Sequence, residues 1–183
     1  GERGQGFHVA QTRLGGGRIH HAMRTIGLVK EAFAMMCERA LSRRTTRGEL
    51  LAQQQLVQAM VADSWIQIEQ FRLFVLRTAW KIDEYDDYRK VRADISAVKA
   101  AMPKVLHDIA SRALHLHGSI GISTEMPFAR QVLASYYLGL ADGPTEVHKV
   151  TVARQVLRGH QAAEGMWPTG WLPAKVEAAK AKY

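Results

Sequence analysis

Apolar residues recur at intervals of three and four along most of the chain, the period of helices that bury one face. From Phe7 to Leu41 the repeat runs through Ile19, Ala22, Met23, Ile26, Val29, Phe33, Met36 and Ala40, predicting one long helix. Gly15, Gly16 and Gly17 interrupt it early, where each glycine costs about 1 kcal/mol relative to alanine if helical. Two readings stay open: a loop that ends at the glycines, or a helix whose backbone admits a close neighbour there. After the polar stretch Ser42 to Gly48, a second broad-faced run extends from Glu49 to Asp83 through Leu56, Met60, Trp65, Ile68, Phe71, Leu76 and Trp80. The link is short, so these two helices should be antiparallel neighbours. An acidic turn over Asp83 to Tyr88 leads to a third helix from Val91 to His117, in which Pro103 predicts a kink or a local break. Gly118 to Ile122 reads as a glycine-rich helix exit. Met126, Pro127 and Phe128 open a fourth helix reaching Tyr137, and Val147, Val150, Val152, Val156 and Leu157 mark one more. The pattern dissolves after Arg158, where Trp167 and Trp171 should pack a tail onto this or a partner subunit, with a frayed end. The expected fold is all-α: an antiparallel four-helix bundle with an additional C-terminal helix, one domain over residues 1–160, and a tail over 161–183.

Composition narrows the class. Hydrophobic residues make up 47% of the 183 positions and charged ones 23%, which suits a globular domain with a real core. The net charge of +8 invites a nucleic-acid reading. Basic residues are scattered among acids, however, and only Arg39, Arg43, Arg44 and Arg47 cluster. Such a cluster serves any phosphate-bearing ligand, so no nucleic-acid partner is expected. The single cysteine, Cys37, cannot form an internal disulfide, and a reducing cytoplasm is the easier home. No run approaches the roughly 18 apolar residues of a membrane span. The polar start, Gly1 to Gly6, reads as a loop cut partway through a longer protein. No metal site is expected: the acidic turn lacks the glycine and glutamate of a calcium loop, and His107, His115 and His117 have no partner set at ligand spacing.

Candidate chemistry centres on Asp142. It stands with Gly143 and Pro144 just before an apolar-periodic helix. Asp142 or Thr145 could cap that helix, and Glu146 complements the positive end of its dipole. The carboxylate also follows an apolar approach, Tyr136, Tyr137, Leu138 and Leu140, and Gly143 leaves the backbone open to a ligand. An acid so placed is a candidate general base.

This loop resembles the catalytic loop of the flavin-dependent acyl-CoA dehydrogenases, in the branch where Asp rather than Glu takes the proton alpha to a thioester. The likeness extends from Gly4 to about Arg158 and covers the C-terminal helical third of such an enzyme. It implies Asp142 as base, with Gly15, Gly16, Gly17, Arg18 and Gly143 beside the acyl-CoA and Arg18 bracing the catalytic loop. Arg44, Thr46 and Gly48 keep the spacing of a motif that contacts the pyrophosphate of FAD, often from the partner subunit; Arg47 replaces its usual aromatic. By the same resemblance Thr45, Gln54 and Gln55 are cofactor contacts, as are Pro144, Thr145 and Glu146. His115, Gly118 and Ser119, with Gly121, fall along the adenosine half. His20 and His21 receive no chemistry. The implied reaction oxidises an acyl-CoA to a trans-2-enoyl-CoA, with an electron-transfer flavoprotein or similar acceptor. The implied assembly is a homodimer or tetramer through the bundle, mitochondrial or peroxisomal if the source is eukaryotic. Asp142 should then face a cleft bounded by the arginine-rich corner and the glycine exit. The competing reading is a non-catalytic helical-bundle interaction module in which Asp142 is only a cap. This portion alone is expected to be inactive, because the sheet that holds a flavin ring is not in it.

Overall fold

A helix that is apolar on nearly every side belongs in the middle of a bundle, and the run from Arg92 to His117 is such a helix. In a computed structural model, which describes residues 1–168 and 170–182, it is surrounded by the others. In chain order the helices are α1 (Gly6–Ser42), α2 (Gln55–Tyr85), α3 (Arg92–His117), the single turn α4 (Ser119–Ile122), α5 (Phe128–Leu140), α6 (Thr145–Leu157) and α7 (Leu172–Lys180). Helices α1, α2, α5 and α6 each pack on α3. Its side chains Val98, Met102, Leu106 and Ile109 are fully buried, each stabilising the fold by about 1.5–3 kcal/mol. Ala22 and Ala32 of α1 and Ala110 and Ala113 of α3 are also fully buried, small enough to let backbones approach. The all-α bundle predicted from periodicity is the observed architecture, with α1, α2, α3 and α5 as its four helices and α6 laid against α3. Among the described residues there is no strand beyond one isolated bridge, Arg44 to Leu50, and no helix is long and apolar enough to cross a membrane.

Four boundaries differ from the sequence expectation or decide it. Helix α1 runs unbroken through the glycines, which selects the reading with a close neighbour. That neighbour is Tyr88, whose ring lies 3.5 Å from where a Cβ on Gly15 would be and whose hydroxyl lies 3.2 Å from that of Gly16. Helix α2 starts at Gln55, not Glu49. Residues 43–54 instead form a tight turn in which Thr45 N–H donates to Glu49 O and Leu51 N–H to Arg43 O, followed by a short 3-10 turn, Leu51–Gln53. Pro103 does not break α3. Trp167 and Trp171 do not pack the tail onto this chain's bundle: they stack on each other at 4.6 Å and remain 56% and 36% exposed, and α7 has no buried residue. Positions 169 and 183 of that tail lie outside the described residues.

Polar links set the register of α2 on α3. Lys81 and Arg77 both reach Asp94, Gln67 donates to Asp108 at 3.0 Å, and Arg112 donates to Ser64 and Gln67. The outward face of α2 carries Leu56, Ile66, Leu73, Leu76 and Trp80, all exposed, and α5 exposes Leu133, Tyr136, Tyr137 and Leu140. Apolar surface on this scale is characteristic of protein interfaces.

Candidate active site

The turn between α5 and α6 has an unusual backbone. Asp142 has φ 57° and Gly143 φ 109°, and Asp is among the few side chains that enter the left-handed region at modest cost. At Gly143 glycine is needed twice over, since a Cβ there would lie 2.9 Å from His148 Nε2.

Three helices hold this turn by its carbonyls. Arg18 of α1 donates Nε–H to Asp142 O at 3.0 Å, and the buried His148 of α6 donates Nε2–H to the same oxygen at 3.3 Å. Lys99 of α3, 1% exposed, donates from Nζ to Leu138 O at 2.6 Å and Gly143 O at 3.3 Å. Burial pulls the pKa of each of the three cationic groups below its ordinary value; the Asp142 carboxylate opposes this in all three, and its carbonyl hydrogen bond does so at His148. For His148 the result favours the neutral ring that the hydrogen bond uses.

The Asp142 side chain points away from the helix it was expected to cap. Helix α6 opens at Thr145 with no side-chain cap, and Thr145 Oγ1 donates backward to Gly139 O. Instead Asp142 Oδ2 lies 3.2 Å from His21 Nε2 and 3.7 Å from where a Cβ on Gly17 would be, with the side chain 20% exposed. It lines a cavity of about 640 Å³ whose apolar wall comes from α1, through Val9, Ala10 and Leu14, with Arg13, His20 and His21 as polar members. The apolar approach read from Tyr136, Tyr137 and Leu140 is not that wall; these three are 62%, 65% and 69% exposed. The period of α5 turns them to the outside of the bundle. A second cavity of about 800 Å³, lined by Tyr88, Arg92, Arg18, Gly143 and His148 among others, lies on the other side of the turn.

A separate group of predicted residues gathers at the far end of α1. Arg43 Nη1 is 3.4 Å from where a Cβ on Gly118 would be, so the arginine corner and the glycine exit do meet. Arg39, one turn earlier on α1, has its Nε buried without a hydrogen-bond partner. Arg44 Nη1 donates to Gly48 O at 2.7 Å, and Thr45 Oγ1 accepts from Arg47 N. Gln54 binds Glu49, while Thr46, Gln55, His115 and Ser119 are exposed. An orphaned guanidinium nitrogen one helical turn before Arg43, whose own guanidinium lies against Gly118, fits an anionic group such as a pyrophosphate.

Asp142 is not in that cleft. From Gly17 to Ser42, the residue before Arg43, is 25 positions of continuous helix, about 38 Å at 1.5 Å per residue. The residues expected to share a single cleft therefore fall into two groups, each a candidate half-site: Gly15, Gly16, Gly17, Arg18, Asp142 and Gly143 at one end, and Arg44, Thr45, Thr46, Gln54, Gln55, His115, Gly118 and Ser119 toward the other. Pro144, Thr145 and Glu146 stay with the acid, Pro144 and Glu146 exposed and Thr145 half-buried.

Lys99, His148 and His21 escaped the sequence reading. Lys99 was detectable as a lone charge inside a buried stripe, with Ile95, Met102 and Leu106 on the same face. His148 follows Asp142 by six positions in the same motif. Nothing local marks His21, whose partner is 121 positions away.

Residues 4–157 match the family model described as "Acyl-CoA dehydrogenase, C-terminal domain". The chain is 40% identical to FadE2 of Mycobacterium tuberculosis over 157 residues, covering 86% of this chain and 38% of that protein. It is 40% identical to acyl-CoA dehydrogenase family member 11 of Rattus norvegicus over 155 residues, 85% of this chain and 20% of the other. Among solved structures, a Mycobacterium abscessus protein superposes with a TM-score of 0.82 at 39% identity, covering 86% of this chain and 38% of that one. Butyryl-CoA dehydrogenase from Megasphaera elsdenii gives 0.78 at 29% identity, covering 86% and 40%. The chain thus spans well under half the length of the relatives it matches.

Proposed function

Since the chain belongs to the acyl-CoA dehydrogenase family, as its C-terminal domain, we propose that it is the helical part of an FAD-dependent enzyme that oxidises an acyl-CoA to a trans-2-enoyl-CoA, with Asp142 as the base. The observation that carries this is a carboxylate set at the wall of a largely apolar cavity on a backbone turn held from three helices. A carbon acid alpha to a thioester needs a base held close and shielded from bulk water. Asp142 takes the alpha proton, forming its O–H bond as the C–H bond breaks, and the beta carbon gives up hydride. FAD, when bound, supplies the hydride acceptor. Arg18 and Lys99 hold the turn so that the carboxylate keeps its place while its charge changes.

The second half-site supports a role in holding the cofactor. Arg39 and Arg43, with Arg44, would bind the pyrophosphate, and the open backbone at Gly118 would receive the adenosine half. Its separation from Asp142 fits an assembly in which each copy lends its arginine corner to the cofactor of another. The exposed apolar faces of α2 and α5 favour a homodimer or tetramer. Electrons would leave to an electron-transfer flavoprotein or similar acceptor. Asp is one methylene shorter than Glu, so the substrate must sit closer to the turn, which suits a branched or otherwise modified acyl chain.

Replacing Asp142 by Asn in the intact protein tests the proposal. Asn keeps the shape and tolerates the left-handed backbone, so flavin content and thermal stability should stay near wild type while enoyl-CoA formation falls by roughly a thousandfold or more. Unchanged turnover would remove Asp142 from the chemistry.

A further inference from the structure

The groups around Asp142 divide into those that hold its backbone and one that holds its side chain. Arg18 and His148 both bind the Asp142 carbonyl, and Lys99 binds the carbonyls of Gly143 and Leu138. None of the three has a recorded bond to the carboxylate. Among the described residues the carboxylate has one polar partner, His21, at 3.2 Å from Oδ2. His21 comes from α1, is 26% exposed, and lines the same cavity as Asp142. It is thus part of the cavity wall rather than the core.

We infer that His21 is the positioning residue of the proposed base: its Nε2 stands 3.2 Å from Asp142 Oδ2, and the N–H aligns on that oxygen as substrate fills the cavity, as catalytic hydrogen bonds do on binding, thereby reserving Oδ1 as the oxygen that takes the substrate proton. The inference rests on the reading of Asp142 as base. An aspartate has two side-chain torsions, and fixing its Cα leaves both free. The left-handed turn fixes one end of the side chain; His21 fixes the other. Gly17 lies alongside, a Cβ there falling 3.7 Å from Oδ2, in ordinary contact with the carboxylate. The donated proton is on Nε2 in the imidazolium and in one neutral tautomer, so the hold does not require His21 to be charged. His20 and Arg13 share the cavity but have no recorded bond to the carboxylate; they border the substrate space rather than the base.

The test uses the intact flavoprotein with butyryl-CoA and isobutyryl-CoA as probes and three variants, His21→Val, His21→Gln and Asp142→Asn. Two readouts are taken: turnover, and exchange of the acyl alpha hydrogen for deuterium from solvent, followed by mass spectrometry. His21→Val should lower kcat and the exchange rate together by roughly ten- to hundredfold, the scale of a base misplaced by about an ångström, with KM changed less than about threefold. His21→Gln, whose amide can donate to the same oxygen, should recover most of both rates. Equal losses in His21→Val and His21→Gln would overturn the inference, as would a wild-type exchange rate in His21→Val. So would a loss in His21→Val confined to KM or to thermal stability. If Asp142→Asn keeps its exchange rate, the failure lies with Asp142 as base and not with the role of His21.

Discussion

Replacing Lys99 by Met removes a charge from the middle of the bundle and leaves almost no void, because the two side chains are similar in length. Lys99 is 1% exposed, and its Nζ serves two carbonyls, Leu138 O in the last turn of α5 and Gly143 O in the turn beyond. Hydrogen bonds from a charged donor are worth about 1.5–3 kcal/mol each, and a cation at a helix C-terminus adds up to about 1–2 kcal/mol when partly buried. Against these stands the desolvation of an ammonium, several kcal/mol. The balance expected for Lys99→Met near neutral pH is a loss of about 2 kcal/mol, or roughly 4–8 °C in thermal midpoint for a domain of this size. The pH dependence is the sharper check. Burial holds the Lys99 pKa below the ordinary 10.5; the Asp142 carboxylate opposes the shift and Arg18 adds to it. Between that lowered value and 10.5 the unfolded chain binds more protons than the folded one, so stability contributed by this site rises with pH through that window. The neutral amine still has two N–H bonds for the two carbonyls. The gap in thermal midpoint between wild type and Lys99→Met should therefore widen as pH climbs toward 10.5. A gap of zero at neutral pH, or one that narrows on the alkaline side, would refute the reasoning.

His148 carries the acid-side counterpart. Burial depresses its pKa below 6.5, opposed by the hydrogen bond to the Asp142 carbonyl, so stability present above pH 6.5 is lost as pH falls toward the depressed value. His148→Gln keeps a donor and removes the titration; its thermal midpoint should vary less with pH below 6.5 than that of wild type. At Gly121 a Cβ would overlap the Leu114 carbonyl and come within 3.0 Å of His117 Cβ. Gly121→Ala should cost about 3 kcal/mol through forced backbone movement, read as a lower midpoint in thermal unfolding.

Periodicity was sufficient for α3, because a helix with buried residues on nearly all sides leaves a dense repeat. It misled at the start of α2, where Leu50 and Leu51 keep helical spacing but are spent on the bridge to Arg44 and the 3-10 turn. The three glycines signalled something unusual, yet only Tyr88, some seventy positions later, decides what. At the site, Asp142 and Arg18 could be named from their motifs, and the structure brings them together at 3.0 Å. His21 and Lys99 could not be assigned to the turn because their partners are distant in sequence and they have no motif of their own. The division into two half-sites was available in principle from the 37-residue length of α1. A list of motifs, however, carries no distances, and only the unbroken helix turns the 25 positions from Gly17 to Ser42 into separation.

The placement of α3 has a bearing on how the chain is made. Synthesis delivers α1 and α2 first, and the helix that covers both follows them. At roughly 5–20 residues per second, several seconds pass between the emergence of Tyr85 and that of His117. During that interval the nascent hairpin shows solvent two apolar faces instead of one: the inner face awaiting α3 and the outer face of Leu73, Leu76 and Trp80, which stays exposed among the described residues. Chaperone occupancy should therefore peak before translation reaches α5, at a point fixed by the order of helices and not by their sequences.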